Sequence, residues 1–161
     1  MEVLNQTLEP IYSADSHILI LGSFPSVKSR ELGFYYGNPQ NRFWKVMAGI
    51  LNLPIPETIC EKRKLLINHG IALWDVVESC RITGSDDNSI RDISPAALST
   101  LLKKAPIERI YTNGGKAYSL YKKYCEEDTG IAAIPLPSTS PANAAWSLDR
   151  LIGAWKVILE R

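Results

Sequence analysis

Two kinds of hydrophobic pattern alternate along the chain. Short runs rich in apolar residues occupy positions 17–22, 71–77, 109–112 and 131–136. Runs of this length, bounded by glycine or polar residues, are typical of strands buried on both faces of a sheet. Between and beyond them, apolar side chains recur at helical spacing, which predicts helices over residues 41–51, 57–68, 94–104, 116–126 and 144–160.

The connections complete this prediction. Residues 81–92 are polar, contain Gly84 and lack periodicity, which indicates a loop. Ser94 followed by Pro95 is typical of a helix start, with a serine cap and proline in the first turn. Strands that alternate with helices imply right-handed crossovers and a parallel sheet. We therefore expect an α/β fold, a three-layer sandwich with a central, mostly parallel four-stranded sheet flanked by helices, as one domain over residues 1–161.

Charge and composition exclude several classes of protein. The 161 residues include 18 Lys+Arg and 17 Asp+Glu, a net charge of +1, which excludes a broadly basic nucleic-acid coat protein. A local basic patch remains possible, and its candidates are Lys28, Arg30, Arg42, Lys116 and Arg150. No apolar run approaches the roughly 20 residues that span a bilayer. The polar segment after the first residue gives no expectation of a signal peptide.

The cysteines and histidines give no metal-ligand pattern. Cys60, Cys80 and Cys125 form no CxxC pair, so we expect no metal site. Their odd number favours a reducing compartment, which here means the cytoplasm. Neither His17 nor His69 follows a predicted strand, and both are interpreted as structural. A small hydrolase that uses Cys80 as its nucleophile is one alternative function.

The carboxyl ends of the predicted strands are rich in small and polar residues. In parallel sheets this edge binds ligands, so residues 22–26, 74–75, 113–115 and 137–141 are candidates for a site. The chain has no GxSxG elbow, no P-loop lysine motif and no GxGxxG motif. The Asn-Gly-Gly turn at 113–115 could hold a phosphate, so a nucleotide-binding module without catalysis is a second alternative.

A segment dense in aromatic and amide side chains precedes the first long predicted helix. Residues 33–44 read GFYYGNPQNRFW. Rings can stack on a flat heterocycle while amides contact its edge, so this composition suits a pocket for a base. Trp44 is interpreted as the start of the helix core face, whereas Tyr35 and Tyr36 precede the helix.

Four segments together resemble the uracil-DNA glycosylase superfamily. They are GSFPS after the first strand, FYYGNPQNRFWKVM, NGGKAY after the third strand and LPSTSPANA after the fourth. The likeness is closest to the mismatch-specific uracil/thymine glycosylases, whose motifs are GINPG, HPxNRFW and NPSGL. It covers nearly the whole chain in order and spacing, and within the superfamily it favours the hypoxanthine-DNA glycosylase branch.

The resemblance implies a monofunctional enzyme of base excision repair. Such enzymes flip a damaged nucleotide out of the duplex and hydrolyse its N-glycosidic bond. The expected substrate is double-stranded DNA that contains hypoxanthine, with uracil/thymine mismatch activity as the alternative. The resemblance implies no metal and no cofactor. It further suggests a monomer, associated with the nucleoid in the cytoplasm and without a membrane contact.

The main departure from the family motifs concerns the residue that handles water. The first-motif Asp or Asn of the family aligns with Phe24, whose phenyl ring cannot position a water molecule. We therefore predict that Asn41 is the catalytic group, since an amide can both donate and accept hydrogen bonds. The alternative is that Asn41 only caps the following helix. Asn38 and Asp75 are the next candidates.

The resemblance also implies residues that contact the base. Tyr36 matches the base-stacking aromatic, with core packing as its alternative. Asp75 could accept a hydrogen bond from N1–H of hypoxanthine or form a salt bridge with Arg81 instead. Two residues after the first strand, Ser23 and Phe24, are expected to offer their backbone N–H groups to the base carbonyl. The complete base-binding set is Ser23, Phe24, Tyr36, Asn38, Asp75 and Asn113.

The remaining matches concern DNA contacts. Ser138 and Ser140 correspond to the phosphate-contacting serine loop, where small side chains allow close approach of the backbone. Pro141, Ala142 and Asn143 occupy the place of the family's wedge, and Ala142 is a small plug. The predicted DNA-binding residues are Pro137, Ser138, Thr139, Ser140, Pro141, Ala142, Asn143, Lys116 and Arg42.

Overall fold

A parallel four-stranded sheet forms the centre of the protein. The structure is a computed structural model that describes residues 2–160. The central sheet has the order β3-β2-β6-β7, and all of its pairings are parallel. A second sheet, of order β1-β4-β5, is antiparallel. The strands are β1 (Val3–Asn5), β2 (Ile18–Gly22), β3 (Ile71–Asp75), β4 (Val77–Arg81), β5 (Arg91–Pro95), β6 (Arg109–Asn113) and β7 (Ala133–Leu136).

Helices cover both faces of the central sheet. Successive residues of β2 point to opposite faces, so Ile18 and Ile20 pack in one apolar core while Leu19 and Leu21 pack in another. These two cores confirm the predicted three-layer α/β fold. The helices are α1 (Val27–Leu32), α2 (Phe43–Leu51), α3 (Ile59–Asn68), α4 (Leu98–Leu102), α5 (Gly115–Tyr124), α6 (Glu126–Thr129) and α7 (Leu148–Trp155), with 3-10 helices at Asp87–Ser89 and Lys156–Leu159.

The antiparallel sheet corrects two predictions. The segment 81–92 is not entirely a loop, because it contains the 3-10 helix Asp87–Ser89 and leads into β5. Ser94 and Pro95 do not start a helix: they end β5, and Pro95 pairs with Val77. The start of α4 lies further on, at Leu98. Strand pairing overrides the local capping signal here, since proline is tolerated at the end of an edge strand.

Several element boundaries also differ from the prediction. The last α-helix begins at Leu148, because Ser147 accepts a hydrogen bond from the backbone N–H of Arg150 at 3.2 Å and caps it. Residues 144–147 therefore belong to the preceding loop. Strand β1 and helix α1 were not predicted, and both are short. No helix within residues 2–160 is long and apolar enough to cross a membrane.

Candidate active site

A cavity of about 280 Å³ opens at the carboxyl edge of the central sheet. This volume is at the lower end of the range for small-molecule sites, as a single flat heterocycle requires. All of the residues predicted to act on the base line it, namely Ser23, Phe24, Tyr36, Asn38, Asn41, Asp75 and Asn113. The topology thus brings together side chains that are up to 90 positions apart in sequence, from Ser23 to Asn113.

Asp75 is a buried acid in the cavity wall. Asp75 is 3% exposed, and its side chain accepts a hydrogen bond from Nε2 of Gln6 at 2.9 Å. Burial, followed by the nearby Asp87, raises the pKa of Asp75 to about 7, although the Gln6 hydrogen bond opposes this shift. Asp75 does not form the salt bridge with Arg81 that was the alternative, because Arg81 pairs with Asp92 at 3.0 Å.

Tyr36 places its hydroxyl beside this carboxyl group. A β-carbon on Gly22 would lie 2.5 Å from Oδ1 of Asp75 and 3.0 Å from Oη of Tyr36, so both oxygens approach the same backbone position. The Tyr36 hydroxyl is buried and has no hydrogen-bond partner in the described part of the chain. Burial and the Asp75 charge raise the pKa of Tyr36 and the nearby Asn113 amide opposes the shift, so the hydroxyl remains protonated and able to donate.

The backbone and ring of Tyr36 are also constrained. Its φ of 53° lies in the left-handed region, which is uncommon for a residue other than glycine. One face of its ring stacks on Phe43, with centroids 4.1 Å apart and planes 18° from parallel. Strained backbone of this kind persists where the surrounding packing fixes it, and it often occurs at functional sites. Stacking of a base on Tyr36 remains a prediction.

Thr139 joins the two asparagines of the cavity. Its hydroxyl accepts from Nδ2 of Asn113 at 2.9 Å and donates to Oδ1 of Asn41 at 2.8 Å. Its backbone N–H donates to Oδ1 of Asn113 at 3.0 Å. Thr139 is fully buried, so the prediction that it contacts DNA is wrong. Its role is to orient the amides, a role that the residue type alone could not distinguish from a phosphate contact.

Asn41 lines the cavity just before helix α2, whose N-cap is Arg42. Its Oδ1 accepts from the backbone N–H of Phe43 at 3.0 Å as well as from Thr139. Asn41 thus engages the first helical N–H from one position before the N-cap, and Arg42 itself makes no side-chain cap bond. Because its oxygen is occupied by two donors, Nδ2 is the group that Asn41 offers to a ligand. The expectation that Asn41 is the N-cap of α2 is therefore corrected, and its catalytic role remains a prediction.

Arg42 holds the loop formed by residues 137–147. Its guanidinium donates to the backbone carbonyls of Ser140 at 3.1 Å, Asn143 at 3.0 Å and Trp146. The prediction that Arg42 binds DNA is therefore not supported, because its guanidinium N–H groups already donate to these carbonyls. A guanidinium can satisfy several converging carbonyls at once, which makes arginine suited to this fixing role.

The rest of that loop faces outward. Pro141 and Ala142 are exposed, and Ser138 and Ser140 are half-buried. The two serine side chains accept backbone N–H bonds within the loop, each at 3.1 Å. A shallow depression beside the cavity is lined by Pro137, Ser138, Ser140, Ala142 and Asn143, together with Asp87 and Gly115. The predicted DNA-contacting residues, apart from Thr139 and Arg42, thus lie on or beside an accessible surface.

The predicted basic patch is only partly available to DNA. Lys28 is within 3.9 Å of Glu31, and Arg30 donates to the carbonyl of Gly84 at 3.1 Å. Arg150 packs over the ring of Trp146 at 4.1 Å. Lys116, on the first turn of α5, is half-buried and close enough to Asp87 to lower the pKa of that carboxyl.

Two residues that hydrogen-bond to the predicted base-binding set were missed by sequence reasoning. Gln6 contacts Asp75 from the segment after β1, and Asp87 lines the cavity from the connection between β4 and β5. Asp87 accepts a hydrogen bond from the hydroxyl of Ser23 at 2.8 Å. The polar composition of residues 81–92 was the one available signal in the sequence, and composition does not indicate which side chain points into the cavity. The alternative nucleophile Cys80 is fully buried and burial raises its pKa, so a thiolate at that position is disfavoured.

The fold and the cavity define a member of the uracil DNA glycosylase superfamily, and the chain belongs to that family, whose sequence model matches residues 9–158. Two curated relatives are named Hypoxanthine DNA glycosylase. The one from Methanosarcina acetivorans is 32% identical over 141 residues, which cover 87% of this chain and 89% of the relative. The one from Methanosarcina barkeri is 30% identical over 157 residues, which cover 97% and 98%.

A solved structure shares the whole architecture. The solution NMR structure of a candidate uracil DNA glycosylase from Methanosarcina acetivorans superimposes with a TM-score of 0.81 at 29% identity. The match covers 99% of this chain and 100% of that protein. The family, the fold and the DNA glycosylase class expected from the sequence are thereby confirmed.

Proposed function

We propose that the protein is a monofunctional DNA glycosylase that flips hypoxanthine out of double-stranded DNA and hydrolyses its bond to deoxyribose. The observation that carries this proposal is the pairing of an acceptor and a donor in the cavity, Asp75 beside the unpartnered hydroxyl of Tyr36. The names of the two curated relatives support the same substrate. This substrate would place the protein at the nucleoid, in the cytoplasm.

The acceptor–donor pair matches the lactam edge of hypoxanthine. That edge presents N1–H as a donor next to O6 as an acceptor. In the proposal, the Asp75 carboxylate accepts from N1–H while the Tyr36 hydroxyl donates to O6. Adenine carries the opposite pattern, with an acceptor at N1 and a donor at N6. A buried polar group left unpaired costs roughly 1–3 kcal/mol, so the normal base is disfavoured in this cavity.

Asn41 is the proposed catalytic amide. As the glycosidic bond breaks, its electron pair moves onto the purine, and a fixed N–H donor stabilises that charge. Nδ2 of Asn41 is held ready for this because Thr139 and Phe43 engage its oxygen. A donor that is already oriented needs no reorganisation during the reaction, which is why its loss costs roughly 10²–10³ in rate.

The loop of residues 137–143 is the proposed contact with the DNA backbone. Ser138 and Ser140 would approach the phosphates, and Ala142 with Asn143 would fill the gap left by the flipped nucleotide. Lys116 is the proposed cation of this surface. Phosphate contacts of this kind fix the position of the protein on the duplex without reading the sequence.

The test offers duplexes that contain inosine, uracil or xanthine, followed by alkali to cut at abasic sites. We expect cleavage of the inosine duplex, and a protein that leaves it intact would contradict the proposal. Uracil shares a lactam edge, so the uracil arm tests the alternative of uracil/thymine mismatch activity. Binding of a free nucleotide without abasic-site formation would favour the non-catalytic module.

Two variants test Asn41. Asn41→Ala removes the whole amide, whereas Asn41→Asp keeps an oxygen for Phe43 and Thr139 and removes the N–H donor. Both should lower the single-turnover rate by roughly 10²–10³. Asn68→Ala, at an exposed amide near the end of α3, is the matched control. A wild-type rate in Asn41→Asp would move the catalytic assignment to Asn38 or Asp75.

A further inference from the structure

We propose that Asp87 is the residue that holds the attacking water and accepts its proton, an inference that rests on the proposed glycosylase function. Hydrolysis needs a water directed at the anomeric carbon, and Phe24 occupies the position where the resemblance would place an acid or amide. The phenyl ring of Phe24 is 7% exposed and can accept no proton. Asn41 is unsuited to this part of the reaction because its oxygen already has two donors.

Asp87 lies where the deoxyribose of a flipped nucleotide has to pass. It lines the cavity, and it also lines the shallow depression formed by residues 137–143. In a nucleotide the sugar joins the base to the phosphates. A base in the cavity and a phosphate on the depression therefore place the anomeric carbon at their common border. Asp75, the other acid of the cavity, lines the cavity and not the depression.

The local structure holds Asp87 in place. Asp87 begins the 3-10 helix Asp87–Ser89, which Asp86 caps by accepting from the N–H of Asn88 at 3.0 Å. The same connection is fixed to α1, because the hydroxyl of Ser85 accepts from the N–H of Val27 at 3.0 Å. A carboxylate supported in this way can orient a water with little reorganisation.

One oxygen of Asp87 is engaged and the other is available. Oδ1 accepts from the hydroxyl of Ser23 at 2.8 Å. Oδ2 has no hydrogen bond from any residue between 2 and 160. Burial and the neighbouring Asp86 charge raise the pKa of Asp87, while the Ser23 hydroxyl and the Lys116 charge lower it. The group thus combines a fixed orientation with a basicity above that of an exposed aspartate.

The proposed step balances without any further reactant. The water oxygen forms a bond to C1′ as the bond between C1′ and N9 breaks, and the electron pair of that bond leaves with the base. Oδ2 of Asp87 takes one proton from the water. That proton then passes to the departed base. The products are neutral hypoxanthine and an abasic deoxyribose, and Asp87 returns to its ionised form.

The test separates chemistry from binding. Single-turnover excision is measured with saturating enzyme on an inosine duplex for wild type, Asp87→Asn and Asp87→Ala. Affinity is measured on the same duplex with a 2′-fluoro deoxyinosine, which resists cleavage. General-base groups contribute roughly 10²–10⁴ to rate, so we expect a loss of at least about 100-fold in Asp87→Ala with an unchanged or tighter Kd. Asparagine can still accept from Ser23, which protects the fold.

The control is Asp15→Asn, which removes the same charge away from the cavity. Asp15 is exposed and precedes β2, whereas the cavity lies at the carboxyl ends of the strands. We expect this control to excise at the wild-type rate. An active wild type with unaffected Asp87 variants would overturn the assignment of Asp87 alone. An equal loss in Asp15→Asn, or a loss confined to affinity, would also overturn it. A wild type unable to release hypoxanthine would instead overturn the proposed function.

Discussion

Replacing Asp75 by asparagine should remove a specific pH dependence from the stability of the protein. The pKa of Asp75 is about 7 in the folded protein, against an ordinary value of 3.8, chiefly because the group is buried. In the interval between these values, the folded state binds a proton that the unfolded chain does not. The free energy of unfolding therefore falls as the pH rises through this interval.

The size of the effect follows from the same two values. At about 1.36 kcal/mol for each pH unit, the interval from 3.8 to about 7 corresponds to roughly 4 kcal/mol. Between pH 5 and pH 8 the protein should lose roughly 3 kcal/mol of this contribution. Asparagine cannot ionise, and its oxygen can still accept from Gln6. The Asp75→Asn variant should therefore not show this loss of unfolding free energy between pH 5 and pH 8.

The assay is urea unfolding of both proteins at pH 5 and at pH 8. Subtracting the change in the variant from the change in wild type cancels the contribution of titrating groups that do not interact with Asp75, and the interaction with Asp87 remains part of the difference. Asp15→Asn, at an exposed aspartate, controls for the loss of one negative charge. A difference near zero would refute the reasoning, because it would mean that Asp75 stays ionised in the folded protein throughout this range.

Two further substitutions test the geometry of the cavity. Thr139→Val removes the hydroxyl that orients Asn41. It should lower the free energy of unfolding, measured in urea, by roughly 1–3 kcal/mol and should slow single-turnover excision. Thr139→Ser keeps the hydroxyl and should restore both the stability and the rate. Gly22→Ala should reduce excision of an inosine duplex at least about tenfold with the fold retained, because its β-carbon would lie 2.5 Å from Asp75. Gly153→Ala, where a β-carbon meets open space, should leave excision unchanged, and an equal loss there would show that the effect is not local.

The central sheet could be predicted because its signal is local. Residues 18–22 are apolar and fully buried, and such a run needs no knowledge of its partners. The antiparallel sheet had no comparable signal. Val3 pairs with Arg81, which is 78 positions away, and the burial of these strands alternates irregularly. Pairing between such distant polar strands depends on tertiary context rather than on local pattern.

The cavity could be predicted to the same extent as the sheet. Strand order places the carboxyl ends together, and this rule located Asp75, Asn113 and the loop after β7. The direction of each side chain could not be predicted. Thr139 and Arg42 have the composition of DNA-contacting residues, yet both turn inward to bond with neighbouring loops. Residue type specifies which hydrogen bonds are possible, and only packing decides which ones form.

The antiparallel sheet is the element that completes the site chemically. The segment after β1 brings Gln6 to Asp75, and it is held there because the N–H of Gln6 donates to the carbonyl of Glu78 in β4 at 2.6 Å. The connection from β4 to β5 brings Asp87 to Ser23. The central strands supply Asp75 and Asn113 and lead into the loop proposed to contact DNA. The second sheet adds a partner for Asp75 and the carboxylate proposed to activate water. If Asp87 activates the water as proposed, a different part of the fold supplies the acid that the first motif lacks at Phe24, and the motifs around Phe24 could not indicate it.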